Sequence, residues 1–252
     1  MAGEVMAEFK IKPLSALMGA EITGVDLRGQ IQKEVKEKLL KAISDHLVIC
    51  IKGQKLKVMT AILYLAPANS SGFNMCPMAS AGCKASCLNT AGRGQMRAVQ
   101  QGRINKTLWL MRERETFLIQ LKKEIKLHAL RCEKKGFKPA VRLNGTSDVS
   151  WERFGLFEMF PEVQFYDYTK IYKRALKYVN GAYPKNYHLT YSLNEDNKKE
   201  AFNILKRGGN ISAVFRTKKL PKKFKGFKVI DADKSDVRFK DPKNIIAGLY
   251  AK

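Results

Sequence analysis

From residue 140 onward, short runs rich in β-branched and aromatic residues alternate with polar, helix-compatible stretches. The runs are AVRLN (140–144), VQFYDY (163–168), YHLTYS (187–192), ISAVF (211–215), FKVID (227–231) and IIAGLY (245–250), with starts about twenty residues apart. Segments such as NKKEAFNILKRGG fill some of the gaps between them. Strand, crossover and strand again is the pattern of a mostly parallel sheet or a partial (β/α) barrel, so the expected fold class is α/β. Upstream, MRAVQQGRINKTLWLMRERETFLIQLKKEIKLHALRCEKKG (96–136) has apolar residues at helical spacing. It predicts one long helical stretch ending at Gly136, a natural C-cap ahead of Pro139.

The N-terminal part reads as a small α/β extension. EFKIKPL and ALMGAEITGVDL carry strand and turn signals, QKEVKEKLLKAISDH has helical periodicity, and HLVICIKGQ reads as a buried strand. Residues 55–94 are rich in Gly, Ser and Asn and are expected to be irregular. The expected organisation is therefore an N-terminal segment, 1–54, and a larger α/β domain, 55–252.

In parallel α/β folds and barrels, ligand sites gather where strands end. The residues after the runs above are polar: Asn144, Thr146, Ser147 and Asp148; Asp167, Thr169 and Lys170; Ser192, Asn194 and Glu195; Arg216 and Thr217; Asp231, Asp233 and Asp236. Such residues also cap helices, so each alone is ordinary. The expected pocket lining is Arg93, Asn144, Asp148, Asp167, Lys170 and Asn194. Arg93 comes from TAGRG (90–94), a small-residue loop that reads either as an anion-facing nest or as a plain turn.

The densest chemistry precedes these strands. NMCPMASAGCKASCLNTAGRG (74–94) holds Cys76, Cys83 and Cys87 at the spacing Cys-x6-Cys-x3-Cys. If the stretch is helical, Cys83 and Cys87 share a face, and Cys76 reaches the same centre over a loop of small residues. Thiolates select zinc and iron–sulfur clusters over hard cations. Zinc sites ordinarily show CxxC pairs and a clear fourth ligand, and neither is present nearby. Three close cysteines fit a [4Fe–4S] cluster with one iron open to a ligand, and also a [3Fe–4S] cluster. Cys50 and Cys132 sit in apolar or helical settings and read as packed small hydrophobes, as His46 and His128 read as structural; His188 falls inside a β run.

Composition narrows the setting. The net charge is +24, from 47 basic and 23 acidic residues, which makes nucleic acid a candidate partner. Lysines outnumber arginines 34 to 13 and are spread along the chain; only PKKFKGFK (221–228) interleaves them with aromatics. The longest apolar patches, LVICI (47–51) and AILYLA (61–66), fall far short of the roughly 18–20 residues that span a bilayer. MAGEVMAEFK does not read as a signal peptide, so a cytoplasmic location with reduced thiols is expected. The odd cysteine count agrees. The rival expectation is a zinc-stabilised, basic nucleic-acid-binding protein.

Two resemblances add to this reading. IKPLSALMGAEITGVDL and LLKAISDHLVICIKGQ, within about 10–54, resemble the N-terminus of the taurine dioxygenase family of iron(II)/2-oxoglutarate enzymes. That family's iron is held by His-x-Asp/Glu and a distant His. The three histidines here are followed two residues later by Val48, Leu130 and Thr190, so no such motif exists and no dioxygenase activity of that type is expected. Residues 58–252 resemble the gene product 88 family of phage proteins. The likeness runs through ILYLAPANSSGFNMCPMASAGCKASCLNTAGRG, RLNGTSDVSWE, FPEVQFYDYTK, NYHLTYSLNE and VIDADKSDVRFKDP. It implies a viral origin, an infected host cell as the setting, and one site shared by the cysteines and the strand-end residues. A cysteine loop ahead of successive parallel strands is also similar in architecture to radical S-adenosylmethionine enzymes, which implies that cofactor as a ligand of the open iron. Their usual Cys-x3-Cys-x2-Cys spacing is not found, so only the architecture is shared.

Overall fold

The structure, a computed structural model, describes residues 10–13, 20–23, 25, 32–46, 49–51 and 58–251. The chain divides into two compact units, Met1–Lys57 and Val58–Lys252. In the first, β1 (Lys10–Pro13) runs antiparallel to β2 (Ala20–Thr23), which pairs in parallel with β3 (Ile49–Ile51). Helix α1 (Lys33–His46) makes the crossover, and Val35, Leu39 and Ala42, at helical spacing, pack with Ile22 and Val25. The flanks of ALMGAEITGVDL, and the side chains of His46 and Cys50, lie outside what is described.

The second unit is built on an eight-stranded sheet. Its strands are β4 (Val58–Ile62), β5 (Lys138–Arg142), β6 (Gln164–Thr169), β7 (Tyr187–Ser192), β8 (Ile211–Phe215), β9 (Lys223–Phe224), β10 (Phe227–Asp231) and β11 (Ile245–Tyr250). They lie in the order β4-β5-β6-β7-β8-β11-β10-β9. Every pairing is parallel except that of β9 with β10. All six β runs expected after residue 140 are strands, and the α/β class holds. Two strands were not expected: β9, and β4 at the head of the segment read as irregular. β4 takes its place by pairing along its whole length with β5, from Val58 opposite Lys138 to Ile62 opposite Arg142.

The expected long helix is two, α3 (Arg97–Arg112) and α4 (Arg114–Lys134), which break at Glu113. Glu113 has φ −131° and ψ 57°, outside the helical region. The break is held by Trp109, whose ring meets Phe117 edge-on at 5.3 Å and whose indole N–H donates to Thr116 Oγ1 at 2.7 Å. Past Gly136, at φ +68°, the helix stops as expected. The later crossovers use α5 (Leu156–Met159), α6 (Tyr172–Val179) and α7 (Lys198–Lys206).

Alternation along the strands divides the sheet into two unlike faces. Val141, Phe165, Tyr187 and Leu189 point to the helices and join Phe117, Leu121 and Ile125 of α4, with Trp151 and Phe157, in the main core. Tyr191, Ile211, Ala213 and Ile246 meet Ala175 of α6 and Ala201, Ile204 and Leu205 of α7 in a second cluster. The opposite face carries Thr60, Arg142, Tyr166, Tyr168, His188, Thr190, Ser192 and Ser212. Parallel sheets are ordinarily apolar on both faces because helices cover both. Here the polar face receives instead the irregular β10–β11 connection: Phe239 packs on Tyr166 at 5.4 Å, and Asp236 reaches Arg142 and Tyr168.

Candidate functional site

The cysteine loop leaves the C-terminal end of β4 and is fastened at three places. The first is the Asn144–Asp148 loop that follows β5. Gly145 N–H donates to Leu63 O at 2.9 Å, Thr146 Oγ1 to Leu65 O at 2.6 Å, and Asp148 N–H to Met75 O at 2.8 Å. A Cβ on Gly145 would lie 2.6 Å from the Tyr64 ring and 2.8 Å from Leu63 O, so only glycine permits this approach. Cys76 Sγ itself lies 3.6 Å from Thr146 O.

The second fastening comes from the end of β7. Helix α2 (Ala81–Ala85), capped by Ser80, carries Cys83, whose N–H donates to Ser80 Oγ at 3.2 Å. Glu195 Oε1 accepts the Gly82 N–H at 2.8 Å, and the Ser80 hydroxyl also bonds to Glu195. The hydrogen bond from its own backbone N–H, then these two bonds, with the Lys170 ammonium near by, hold the Glu195 carboxyl below its usual range. The third fastening is α3. Gln100 Nε2 donates to Asn89 O and Gly94 O, and Arg103, lying over the Tyr64 ring, donates to Asn89 Oδ1.

The three thiols are free and half-buried. Burial pushes the Cys76 thiol up, and Asp148, Cys87 and Cys83 push it in the same direction through their charges. Cys83 and Cys87 therefore lie close enough to act on Cys76. They do so from separate elements, because α2 ends before Cys87. Cys87 instead caps the short 3-10 turn Leu88–Thr90, with its Sγ accepting from Asn89 N–H at 3.5 Å. The expectation that Cys83 and Cys87 share one helix face fails for that reason. Among the described residues, no three His, Cys, Asp or Glu side chains converge as the ligands of a single ion would.

The expected strand-end residues divide by what their side chains do. Asn144 and Asp167 pair: Asp167 accepts Asn144 N–H at 2.8 Å and Asn144 Nδ2 at 3.2 Å. Asn144 Oδ1 meanwhile accepts from Ser147, Val149 N–H and the Trp151 indole. Burial pushes Asp167 up to about 7, against the pull of Arg174, Asn144 and Arg142. Asp148 accepts from Thr169 Oγ1, Lys170 N–H and Arg174 Nη1, each at 2.8 Å. Asn144, Asp148, Asp167 and Lys170 thus gather beside the Cys76 segment, and their hydrogen bonds support the loop that holds it. Asn194 stands apart, with Oδ1 accepting Asp196 N–H and Asn197 N–H in the β7–α7 turn. Arg93 lies in the 3-10 turn Gly92–Gln95, just ahead of α3.

Of the remaining thiols and imidazoles, Cys132 is wholly buried, 3.5 Å from His128 Nε2, which bonds in turn to Met59 O and Ala140 O. His188 lies on the polar face between Tyr178 Oη and Thr190 Oγ1, and burial with the Arg238 charge pushes it down to about 4. Arg174, Arg142 and Arg238 were not among the expected site residues. A charged residue inside the run AVRLN was the available signal for Arg142. Arg174 falls in a helical stretch where an arginine is unremarked.

No described helix is long and apolar enough to cross a membrane. No curated protein and no solved structure matches the chain, so the taurine dioxygenase resemblance of residues 10–54 finds no counterpart in these comparisons. A family model described as Gene product 88 matches residues 33–252, beginning inside that segment and taking in the cysteine loop and all eight strands of the large sheet. With most of its length so matched, the chain belongs to the gene product 88 family of phage proteins.

Proposed function

We propose that this protein binds one [4Fe–4S] cluster through Cys76, Cys83 and Cys87, leaving one iron open to a further ligand. The observation that carries the reading is the grouping of three free, half-buried thiols on one fastened loop at the C-terminal end of β4. A cube holds its thiolates at separate corners, so its ligands stand farther apart than those of a single ion. The three thiols stand on separate parts of that one loop, Cys83 on α2 and Cys87 at the start of the following 3-10 turn, which suits the spaced corners of a cube. When bound, such a cluster supplies one-electron chemistry or a Lewis-acidic iron. The chain's own groups do the rest. Glu195 holds α2 and Cys83, the Asn144–Asp148 loop holds Cys76, and Lys170 keeps a positive charge beside Glu195. S-adenosylmethionine is the first ligand to offer the open iron.

Protein purified without oxygen should contain about four irons and four acid-labile sulfides per chain, with broad brown absorption near roughly 400 nm. One zinc and no sulfide would overturn the cluster in favour of a zinc staple.

A specific observation also favours a polyanion partner. Between Ala201 and Ile230 the chain has nine lysines and arginines and no aspartate or glutamate, and all nine are exposed. Lys206 ends α7, Lys223 and Lys228 lie on β9 and β10, the other six lie in the connections between α7 and β10, and Lys225 sits 5.6 Å over the Phe202 ring. Single-stranded DNA binding should weaken with salt, with a log–log slope of about −3.5 if about five phosphates are engaged. Lys222→Glu combined with Lys223→Glu should flatten that slope by roughly one unit or more. A salt-independent signal would remove nucleic acid as the partner.

A further inference from the structure

We infer that Arg142 and Arg238 form a binding site for an oxyanion, a carboxylate or phosphate group, on the face of the sheet that carries the β10–β11 connection. Arg142 ends β5, and Arg238 comes from the β10–β11 connection that lies against that face. Arg238 is 1% exposed. Each guanidinium carries about five N–H donors and no acceptor. Arg142 uses Nη1 on Asp236 Oδ2 at 2.9 Å and lies over the Tyr168 ring at 4.6 Å. Arg238 donates from Nη2 to Ser235 O, while its Nη1 lies 3.2 Å from Asp241 Oδ2 without hydrogen-bond alignment.

What remains is unused. Arg142 Nε and Arg238 Nε are buried and have no hydrogen-bond acceptor in the protein, and Arg238 Nη1 has only its ion pair with Asp241. Buried donors left in that state are rare, because each has lost water and gained nothing. The face needs no arginine for its own packing, since an apolar residue would fill the same space without that cost. An oxyanion would supply several strong acceptors at once, and a guanidinium matches it in shape as well as charge. The surrounding residues are of the same kind. Tyr166 and Thr190 are buried on this face, and Ser192 and Ser212 share a 2.9 Å hydroxyl contact.

Asp236 shows which group the Arg142–Tyr168 pair receives. One of its carboxylate oxygens accepts a hydrogen bond from Arg142 Nη1 at 2.9 Å, and the other accepts one from Tyr168 OH at 2.7 Å. Its side chain is 47% exposed, so it can swing to solvent and yield its place to a ligand oxyanion. The chain's own carboxylate is thus the competitor. None of these contacts involves a cysteine, and the site stands whether or not a cluster is bound.

The test is calorimetric titration of the full chain with inorganic phosphate, and separately with acetate, at low ionic strength. Whichever anion binds the parent identifies the headgroup, and binding of neither overturns the assignment. Arg142→Gln should weaken binding by about tenfold or more, and Arg142→Lys should fall between. Asp236→Asn, which keeps the side chain's shape and one acceptor oxygen, should tighten binding several-fold by removing the competing charge. Cys76→Ser should bind as the parent does. If Asp236→Asn binds no more tightly, the assignment fails. It fails equally if the signal survives Arg142→Gln and disappears with Lys222→Glu and Lys223→Glu, which would place the anion on the basic edge.

Discussion

Cys83→Ser protein, purified without oxygen, should retain roughly a tenth or less of the iron and sulfide of the parent while keeping its far-ultraviolet circular dichroism. The same holds for Cys76→Ser and Cys87→Ser, because a cube held by three thiolates has no spare ligand. Cys132→Ser is the control. That thiol is wholly buried beside His128 in the last turns of α4, so its loss should cost stability and leave iron content unchanged. Glu195 provides the finer test, since it acts on the site only through α2. Glu195→Ala removes the acceptor for Gly82 N–H and should lower iron occupancy, whereas Glu195→Gln keeps an amide oxygen there and should restore it. Full iron and sulfide in any one of the three loop variants would refute the cluster assignment.

Runs rich in β-branched and aromatic residues, separated by polar helix-compatible stretches, made six of the strands legible in the sequence. β4 was not legible. Its residues, VMTAI, run straight into the Gly- and Asn-rich cysteine loop, and only its pairing with β5, eighty residues away in the chain, makes it a strand. The break at Glu113 was hidden because it depends on Trp109 reaching Thr116 and Phe117, a tertiary contact. The cysteines stood out by spacing alone. Their fastening did not: Glu195 meets Gly82 across more than a hundred residues, and nothing local marks either partner. Asn144, Asp148 and Asp167 were found from their strand-end positions, and contacts give them a different task from the one that position suggested. They hold the cysteine loop in place, and buried donors without a hydrogen-bond acceptor stand on Arg142 and Arg238, on the opposite face of the sheet, as well as on Ser71 and Arg103 beside the loop.

Arg174→Met should lower stability by about 3–5 kcal/mol, the largest change expected from any single replacement outside the core. Arg174 is buried, and its guanidinium meets both oxygens of Glu152 at 2.9 Å, Asp148 Oδ1 at 2.8 Å and Tyr187 Oη at 2.8 Å. Methionine fills similar space and supplies none of these donors. It leaves two shielded carboxylates with no cation, a worse state than replacing the whole cluster by apolar residues. For a domain of this size the melting temperature should fall by roughly 10 °C. Glu152→Gln added to Arg174→Met should recover part of the loss, because it removes one of the stranded charges. The effect should also reach the cysteines. Asp148 is joined to Arg174 through its side chain and to Met75 through its backbone N–H, so a loosened Asp148 releases the segment that carries Cys76. Iron occupancy should therefore fall in Arg174→Met at temperatures well below its melting point, and recover in part in the double variant. A variant with lowered melting temperature and undiminished iron would show that the salt-bridged network supports the fold alone and that the cysteine loop is held by its other two fastenings.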